Sequence, residues 1–432
     1  MPTDPQPATE PRLRWLFLDL NSYFASVEQE LRPELRGRPV AVVPVMADTT
    51  CCIAASYEAK AFGVRTGTQV GESKRLCPGI ELVEARHEVY VDYHHRIIEA
   101  VERCIPVAAV MSIDEMACSL MGREQPLLHA LQLGRDVKAS VRQHAGSTLR
   151  CSVGLATNRY LAKIASDMEK PDGLVALTPD IREAALLGLT SRDLPGVGAR
   201  MEKRLHNQGI RTMHQLLALN REQMNETWGG IGGEKLWYWL RGEDFNDPAL
   251  DHAKSISHSH VLAPELRTPE GAYAVVNKLL HKAAMRLRAA RLWATNLSLH
   301  IKFAVPKENA AKQHYSGIPQ SSWSRGFSII ECQDNQTLVE GLQRLWAERP
   351  QGELYLKPFF IGVALSNLVP EHLHTLSLFS GLESEARRTR ISSTMDALNY
   401  KYGTDTLCFA NMLLAKAAAP TRIAFTSIPT LF

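Results

Sequence analysis

Through the first 178 residues, short apolar runs that stop on a polar knot alternate with stretches of helical spacing. Arg14 to Leu18 predicts a strand that ends on Asp19, and Tyr23, Phe24, Val27 and Leu31 predict a helix over 22–31. Pro33 and Gly37-Arg38-Pro39 close that helix. Val40 to Val45 and Cys51 to Ala55 are β-rich, and Ser56 N-caps a short helix closed at Gly63. Ile80 to Val83 predicts a strand, with helices over 89–104 and 127–144. Leu149 to Leu155 predicts a strand that turns at Ala156-Thr157-Asn158 into a helix over 159–169. Val107-Ala108-Ala109-Val110 and Ala117-Cys118-Ser119-Leu120 flank Met111-Ser112-Ile113-Asp114-Glu115-Met116, which reads as two buried strands joined by a tight hairpin. Strands and helices alternating around a central hairpin predict an α+β, split-βαβ sheet rather than a doubly wound one.

From Thr178 the pattern becomes helical with Gly-rich turns at Leu194-Pro195-Gly196-Val197-Gly198 and Trp228-Gly229-Gly230-Ile231-Gly232-Gly233. Asp251 to Ser259 is polar and reads as a linker. A helix over 269–290 follows. Next comes a strand over 294–303, in which Leu297, Leu299, Ile301 and Phe303 alternate with Asn296, Ser298, His300 and Lys302, giving one packed and one wet face. Leu354 to Leu365 is a further strand, and after Pro370 the pattern loses regularity.

With 432 residues there is room for about three or four domains. The formal net charge of +3 says little about partners, since the basic residues cluster locally. Eight cysteines, mostly in apolar contexts and without a CxxC pair, predict a reducing cytosol rather than structural zinc. No apolar run reaches membrane-spanning length, and residues 1–11 read as a disordered leader.

Two adjacent acids at a buried hairpin are costly unless neutralised, and hard oxygen donors suit magnesium. Asp19, Asp114 and Glu115 on converging strand ends make a two-metal site; taken singly, they also read as turn acids and a helix cap. Lys163, on a helix just after a strand, could hold a triphosphate or simply snorkel from the helix edge. Tyr57 and Lys60 share a helix face and could grip the same anion, or be a surface lysine beside a half-buried tyrosine. Gly196 and Gly198 would let backbone N–H groups approach a phosphate, or form a tight helix–helix turn. Lys302 and His300 are placed for phosphates, whereas the Lys278, Lys282, Arg286 ridge reads as a solvated helix face.

These segments resemble the Y-family translesion DNA polymerases of the bacterial polymerase IV and polymerase V kind. The resemblance runs from about Arg14 to Pro370 and rests on several motifs in family order. They are Phe17-Leu18-Asp19-Leu20-Asn21-Ser22-Tyr23-Phe24, Ala55-Ser56-Tyr57-Glu58-Ala59-Lys60, Ser112-Ile113-Asp114-Glu115, Leu161-Ala162-Lys163-Ile164-Ala165-Ser166, Lys170-Pro171-Asp172-Gly173 and Leu194-Pro195-Gly196-Val197-Gly198. It implies an α+β right-hand polymerase with a ferredoxin-like palm (12–22 and 88–178), small fingers (23–87) and a helical helix-hairpin-helix thumb (179–250). A linker (251–263), an α/β little-finger domain (264–370) and a C-terminal tail (371–432) would complete it.

The implied activity is template-directed DNA synthesis past damaged bases in DNA repair and the SOS response. Asp19, Asp114 and Glu115, with the carbonyl of Leu20, would hold two Mg2+ ions, for which Mn2+ can substitute. Tyr23, Phe24, Tyr57, Lys60 and Lys163 would bind the dNTP, with Phe24 as the steric gate against a ribose 2′-hydroxyl. Gly196, Gly198, His300 and Lys302 would contact primer-template DNA. Lys60 stands where the family often has arginine, which keeps the charge and loses the bidentate fork. Asn21 stands where polymerase IV types have aspartate and polymerase V types asparagine. Thr375-Leu376-Ser377-Leu378-Phe379 resembles a sliding-clamp peptide without its usual glutamine, and Lys401-Tyr402-Gly403 with residues 422–432 resembles a tail that meets accessory mutasome subunits. The expected location is the cytoplasm, at the nucleoid, with no membrane partner. Two rivals are an inactive family member acting as a DNA-binding scaffold and a nucleotide cyclase. All three acids count against the first, and the thumb hairpin and basic last domain against the second.

Overall fold

The structure is a computed structural model that describes residues 12–48, 50–245, 254–304, 312–313, 319–375, 382–403, 405–416 and 418. The chain divides into two compact units, with the change between Asp247 and Pro248.

In the first unit, β1 (Trp15–Leu20) enters α1 (Tyr23–Leu31). A small sheet follows from β2 (Val40–Val43), β3 (Ala54–Ala55) and, after α2 (Tyr57–Ala61) and α3 (Val70–Leu76), β4 (Glu81–Glu84), in the order β3-β2-β4. The chain then runs through α4 (His87–Glu102), β5 (Ala109–Val110), β6 (Glu115–Ser119), α5 (Leu127–His144), β7 (Cys151–Ala156), α6 (Arg159–Met168) and β8 (Leu174–Leu177). The main sheet has the order β5-β6-β1-β7-β8, as a split-βαβ arrangement requires.

Strand β1 lies at its centre, antiparallel to both β6 and β7. Leu16 and Leu18 pack on one face with residues of α4 and α5, such as Tyr90, Ile97, Val137 and Val141. Phe17 packs on the other with Leu161, Ile164 and Ala165 of α6. A strand covered on both faces reads as an unbroken apolar run, which is why Trp15 to Leu18 was legible. Gly154 of β7 permits the close seat of α6, because a Cβ there would lie 2.0 Å from the Ala162 carbonyl oxygen. Five short helices complete the unit: α7 (Arg182–Leu187), α8 (Ala199–Asn207), α9 (Met213–Leu217), α10 (Arg221–Trp228) and α11 (Ile231–Leu240).

The second unit holds β9 (Ser255–Val261), α12 (Pro269–Ala289), β10 (Leu292–Ala304), β11 (Lys312–Gln313), β12 (Pro319–Cys332), α13 (Asn335–Ala347), β13 (Pro358–Pro370) and α14 (Leu382–Tyr402), with sheet order β11-β12-β10-β13-β9. Leu297, Leu299, Ile301 and Phe303 form the packed face with α12 and α13, as the alternation predicts.

Three expectations are corrected here. The stretch expected as linker 251–263 contains β9, an edge strand paired with β13 from Ser255↔Ser366 to Val261↔Phe360. The tail expected from 371 onward contains α14, which is fastened to the unit: Arg288 grips Asp396 at 2.6 and 2.8 Å. Lys278 does not lie on a solvated ridge; it is buried and pairs with Asp405 at 2.7 Å and the Lys416 carbonyl at 2.8 Å.

Candidate active site

Strand parity builds the site. Asp19 lies two residues beyond Phe17, so it shares the face covered by α6, and it stands directly opposite Glu115 in the β1–β6 ladder. The hairpin before Glu115 closes when Met111 N–H donates to the Glu115 carbonyl at 2.9 Å. Leu20 N–H donates to the Asp114 carbonyl at 2.9 Å, so the backbone of Leu20 lies beside the acids. The Asp114 carboxylate accepts from Ser112 Oγ at 2.6 Å. Burial pushes the Asp114 carboxyl above its ordinary range; the Ser112 hydrogen bond opposes this, and the charges of Asp19 and Glu115 add to it.

Lys163 projects from α6 into this group. Its Nζ contacts Asp19, lies 2.8 Å from Glu115 Oε1 and 3.1 Å from Asp167 Oδ1. Lys170 adds a second ammonium, 2.7 Å from Asp19 Oδ2 and 2.8 Å from Asp167 Oδ1. Burial disfavours the Lys163 charge, but Asp19, Asp167 and Glu115 outweigh it and raise its pKa. Among the described residues no group of three or more His, Cys, Asp and Glu side chains is arranged to hold a metal. Asp19 and Glu115 converge instead on an ammonium. The donor set nevertheless fits divalent cations: three carboxylates on neighbouring strand ends carry like charges, and burial holds Asp114 toward its neutral form. Lys170, Asp167 and His94 were not foreseen as site residues. The i, i+4 spacing of Lys163 and Asp167 on α6 was the available signal for Asp167, whereas Lys170 lies in the turn just beyond the helix. His94 backs the hairpin from α4 through Nδ1, 2.8 Å from the Ile113 carbonyl oxygen, and burial pushes its pKa down, so the neutral ring donates.

Toward the small sheet, Ser56 caps α2 by accepting from Ala59 N–H, and Lys60 Nζ lies 4.2 Å from the Tyr57 ring centroid. Burial and then Lys170 lower the Lys60 pKa, while Asp19 opposes them; Tyr57 is raised by burial, with Lys170 opposing. Tyr57 and Lys60 thus both feel the charges of Lys170 and Asp19. Phe24 is half-buried and stacks on Tyr90, centroids 4.4 Å apart. Tyr23 departs from expectation: its side chain is 3% exposed and its hydroxyl donates to the Tyr90 carbonyl at 2.6 Å. Any nucleotide contact it makes is therefore through its backbone at the start of α1. Asn21 is buried in the fold, donating to Ser152 Oγ at 3.1 Å and accepting from Asp172 N–H at 2.7 Å.

The Leu194-Pro195-Gly196-Val197-Gly198 turn leads into α8. Gly196 has φ +86, a left-handed conformation that favours glycine, and Gly198 N-caps the helix. Tyr160 of α6 donates to the Pro195 carbonyl at 2.9 Å, which fixes the turn to the main sheet's covering helix. Between them lies a cleft of about 440 Å³ lined by Lys163, Asp167, Arg192 and the turn itself. In the second unit, His300 and Lys302 lie on the face of β10 away from the core, beside Phe360, with Lys302 Nζ 5.0 Å from its ring. Leu376, Leu378 and Phe379, and residues 422–432, lie outside the described residues.

Comparison with known proteins gives a consistent picture. Residues 18–167 match the impB/mucB/samB family, residues 253–378 its C-terminal domain, and residues 192–244 the DNA polymerase-iota thumb domain. The chain is 32% identical to the DNA polymerase IV of Moorella thermoacetica over 90% of this chain and 93% of that one. It is 30% identical to the DNA polymerase IV of Pelotomaculum thermopropionicum over 90% and 92%. Among solved structures, the Y-family DNA polymerase chimera Dbh-Dpo4(243-245)-Dbh has a TM-score of 0.66 at 22% identity, covering 83% of this chain and 99% of that one. An insertion ternary complex of Dbh DNA polymerase has a TM-score of 0.55 at the same identity and coverage. At that identity the structures speak for the fold.

Proposed function

The chain belongs to the Y family of DNA-directed DNA polymerases, and from that premise we propose how its residues divide the work of translesion synthesis. The observation that carries the reading is the pairing of Asp19 with Glu115 across β1 and β6, with Asp114 adjacent. Asp19, Asp114 and Glu115, with the Leu20 carbonyl, hold two Mg2+ ions, and Mn2+ can substitute. When bound, the ions lower the pKa of the primer 3′-hydroxyl and stabilise charge on the transferring phosphoryl group. Lys163, whose ammonium reaches Asp19 and Glu115, would bind the triphosphate, and Tyr57 and Lys60 would grip it from α2. Phe24 excludes the ribose 2′-hydroxyl. Primer-template DNA is held without base readout by backbone N–H groups at Gly196 and Gly198 and by His300 and Lys302.

The wider setting is also part of the proposal: low-fidelity synthesis past damaged bases during the SOS response, in the cytoplasm at the nucleoid. The sliding clamp would be met through Leu376, Leu378 and Phe379, and accessory mutasome subunits through the C-terminal segment. Support for the clamp contact is the sequence resemblance of residues 375–379 alone. The deciding experiment incubates the protein with primer-template, Mg2+ and all four deoxynucleotides. Template-directed extension is expected; no extension by a folded, DNA-binding protein would sink the catalytic assignment and leave a scaffold.

A further inference from the structure

The corner where β7 turns into α6 holds both ends of the helical segment that carries the turn at Gly196 and Gly198. At the far end, α11 runs out into Arg241, Gly242 and Glu243, and carbonyls at a helix end need outside donors. Thr157 Oγ1 donates to the Gly242 carbonyl at 2.9 Å. Asn158 Nδ2 donates to the Trp239 carbonyl at 2.8 Å and to the Glu243 carbonyl at 3.0 Å. Gly242 has φ +86, and a Cβ there would lie 2.9 Å from Thr157 Oγ1, so this close approach needs glycine. At the near end, Tyr160 donates to the Pro195 carbonyl at 2.9 Å, and its ring stacks on Trp239 with centroids 5.1 Å apart. Asn158 is 0% exposed and uses its remaining amide atom on α6 itself. Its Oδ1 accepts Leu161 N–H at 2.8 Å and so caps the helix that carries Lys163. One side chain therefore joins the N-terminus of the active-site helix to the C-terminus of α11, 81 positions along the chain.

We propose that the Thr157-Asn158 corner is a clasp that fixes the orientation of the turn at Gly196 and Gly198, and that Asn158 is a positioning residue for primer-template binding. The proposal rests on that turn holding DNA. Apolar side chains fill the same junction: Leu161 and Ile164 of α6 pack in one cluster with Leu194, Val197, Leu205 and Leu240. Such packing is non-directional and does not by itself select one orientation. Hydrogen bonds to three carbonyls do, because they weaken steeply off line. With the clasp open, only a fraction of molecules presents the turn in the orientation that meets the duplex. The apparent dissociation constant then rises as the inverse of that fraction. The clasp bonds end on the backbone of α11 and its exit, not on Asp19, Asp114 or Glu115, so the chemical step is expected to be unaffected.

The test uses the full chain with a fluorescein-labelled primer-template in Mg2+. It reads the dissociation constant by anisotropy and the single-turnover rate of incorporation at saturating DNA and dNTP. Asn158→Asp keeps the shape and the cap on Leu161 N–H but removes both donors. It is expected to raise the dissociation constant about tenfold, with the rate within about twofold of the parent. Thr157→Val removes a single donor at nearly constant shape and is expected to raise the constant about threefold. Gly198 has open space around it, so Gly198→Asp keeps an N-cap on α8 and places a carboxylate where a phosphate would lie. That change alone should weaken binding by about tenfold or more. Added to Gly198→Asp, Thr157→Val should weaken binding no further, since the clasp acts through the turn; a merely structural loss would still be seen in the double variant. Should Asn158→Asp fail to fold, Thr157→Val and the double variant carry the test. Parent-like binding by Thr157→Val, or additive losses in the double variant, overturns the clasp, while weak binding by Gly198→Asp leaves the turn reading in place. A slowed single-turnover rate with an unchanged dissociation constant assigns Asn158 to the cap of α6 alone and also overturns the clasp. Parent-like binding by Gly198→Asp removes the turn as a DNA site and the clasp's role with it.

Discussion

Lys163 Nζ clasps Asp19 across 144 positions of chain, and the same ammonium reaches Glu115 Oε1 at 2.8 Å. The ion pair gathers the two acids that face each other in the β1–β6 ladder, so a cation charge is already required there by the fold. Asp19 is 5% exposed, and stripping a partner from a buried carboxylate leaves it undercompensated. Lys170 remains 2.7 Å away and limits the loss. Lys163→Met is therefore expected to destabilise the metal-free protein by roughly 1–3 kcal/mol. Added Mg2+ should then stabilise the variant more than the parent, because the ion replaces the missing charge. Thermal melts with and without Mg2+ check this; an equal response in both proteins would show that the lysine and the metal do not share the carboxylates. Primer extension should show a raised KM for dNTP in the same variant.

Asp114 presents the opposite case. Burial holds its carboxyl toward the neutral form, and the neighbouring acids reinforce this. Asp114→Asn should therefore leave the metal-free fold as stable as the parent or slightly more so. The same change removes a hard anionic donor from the site, and extension should fall by about a thousandfold. DNA binding should persist in a gel shift, since a carboxylate attracts no phosphate. An extending Asp114→Asn protein would remove this acid from the catalytic set.

Lys60 lies over the Tyr57 ring, where burial and Lys170 both work against its charge. A guanidinium is more weakly hydrated, remains charged and can fork two bonds to one phosphate. Lys60→Arg should lower the KM for dNTP by a few fold with kcat little changed. A raised KM would mean that the pocket is shaped for the narrower ammonium.

How much of this was legible in the sequence depends on which side of an element faces the core. Strand β1 and the acidic hairpin were readable because both faces of β1 are buried and the run is apolar throughout. The convergence of Asp19 and Glu115 then followed from parity. Strand β9 was not readable: Ser-Ile-Ser-His-Ser-His-Val is polar at most positions because it forms the sheet's edge with its serines exposed. Helix α14 was missed for a related reason. The residues it turns inward are polar, Glu385, Ser392 and Asp396, and its exposed ones include Ile391, Tyr400 and Tyr402, so the usual periodicity is inverted. Lys278 was misjudged because its partner, Asp405, is remote along the chain. The stack of Phe24 on Tyr90 is equally invisible, since it joins two helices whose sequences say nothing of each other.

Two histidines of the second unit, His258 and His281, are pushed furthest toward the neutral form and lend the fold a pH dependence. His258 is pushed down to about 4 by burial and then by Arg286 and Lys282; His281 is pushed down to about 4 chiefly by burial, and it stacks on Phe409 with centroids 4.6 Å apart. Both are neutral in the folded protein near pH 7. The unfolded chain takes up a proton at each near pH 6.5, whereas the folded chain does so only near 4. Between those values the unfolded state binds more protons, so stability falls as pH falls. Above pH 6.5 the two groups contribute no slope. Each can cost roughly 3 kcal/mol by the time pH reaches 4. Melting of the full chain from pH 7.5 to 4.5 should show the decline begin below about pH 6.5. The double variant His258→Gln, His281→Leu should have a shallower decline over the same range. An identical slope in the double variant would assign the acid sensitivity to other groups.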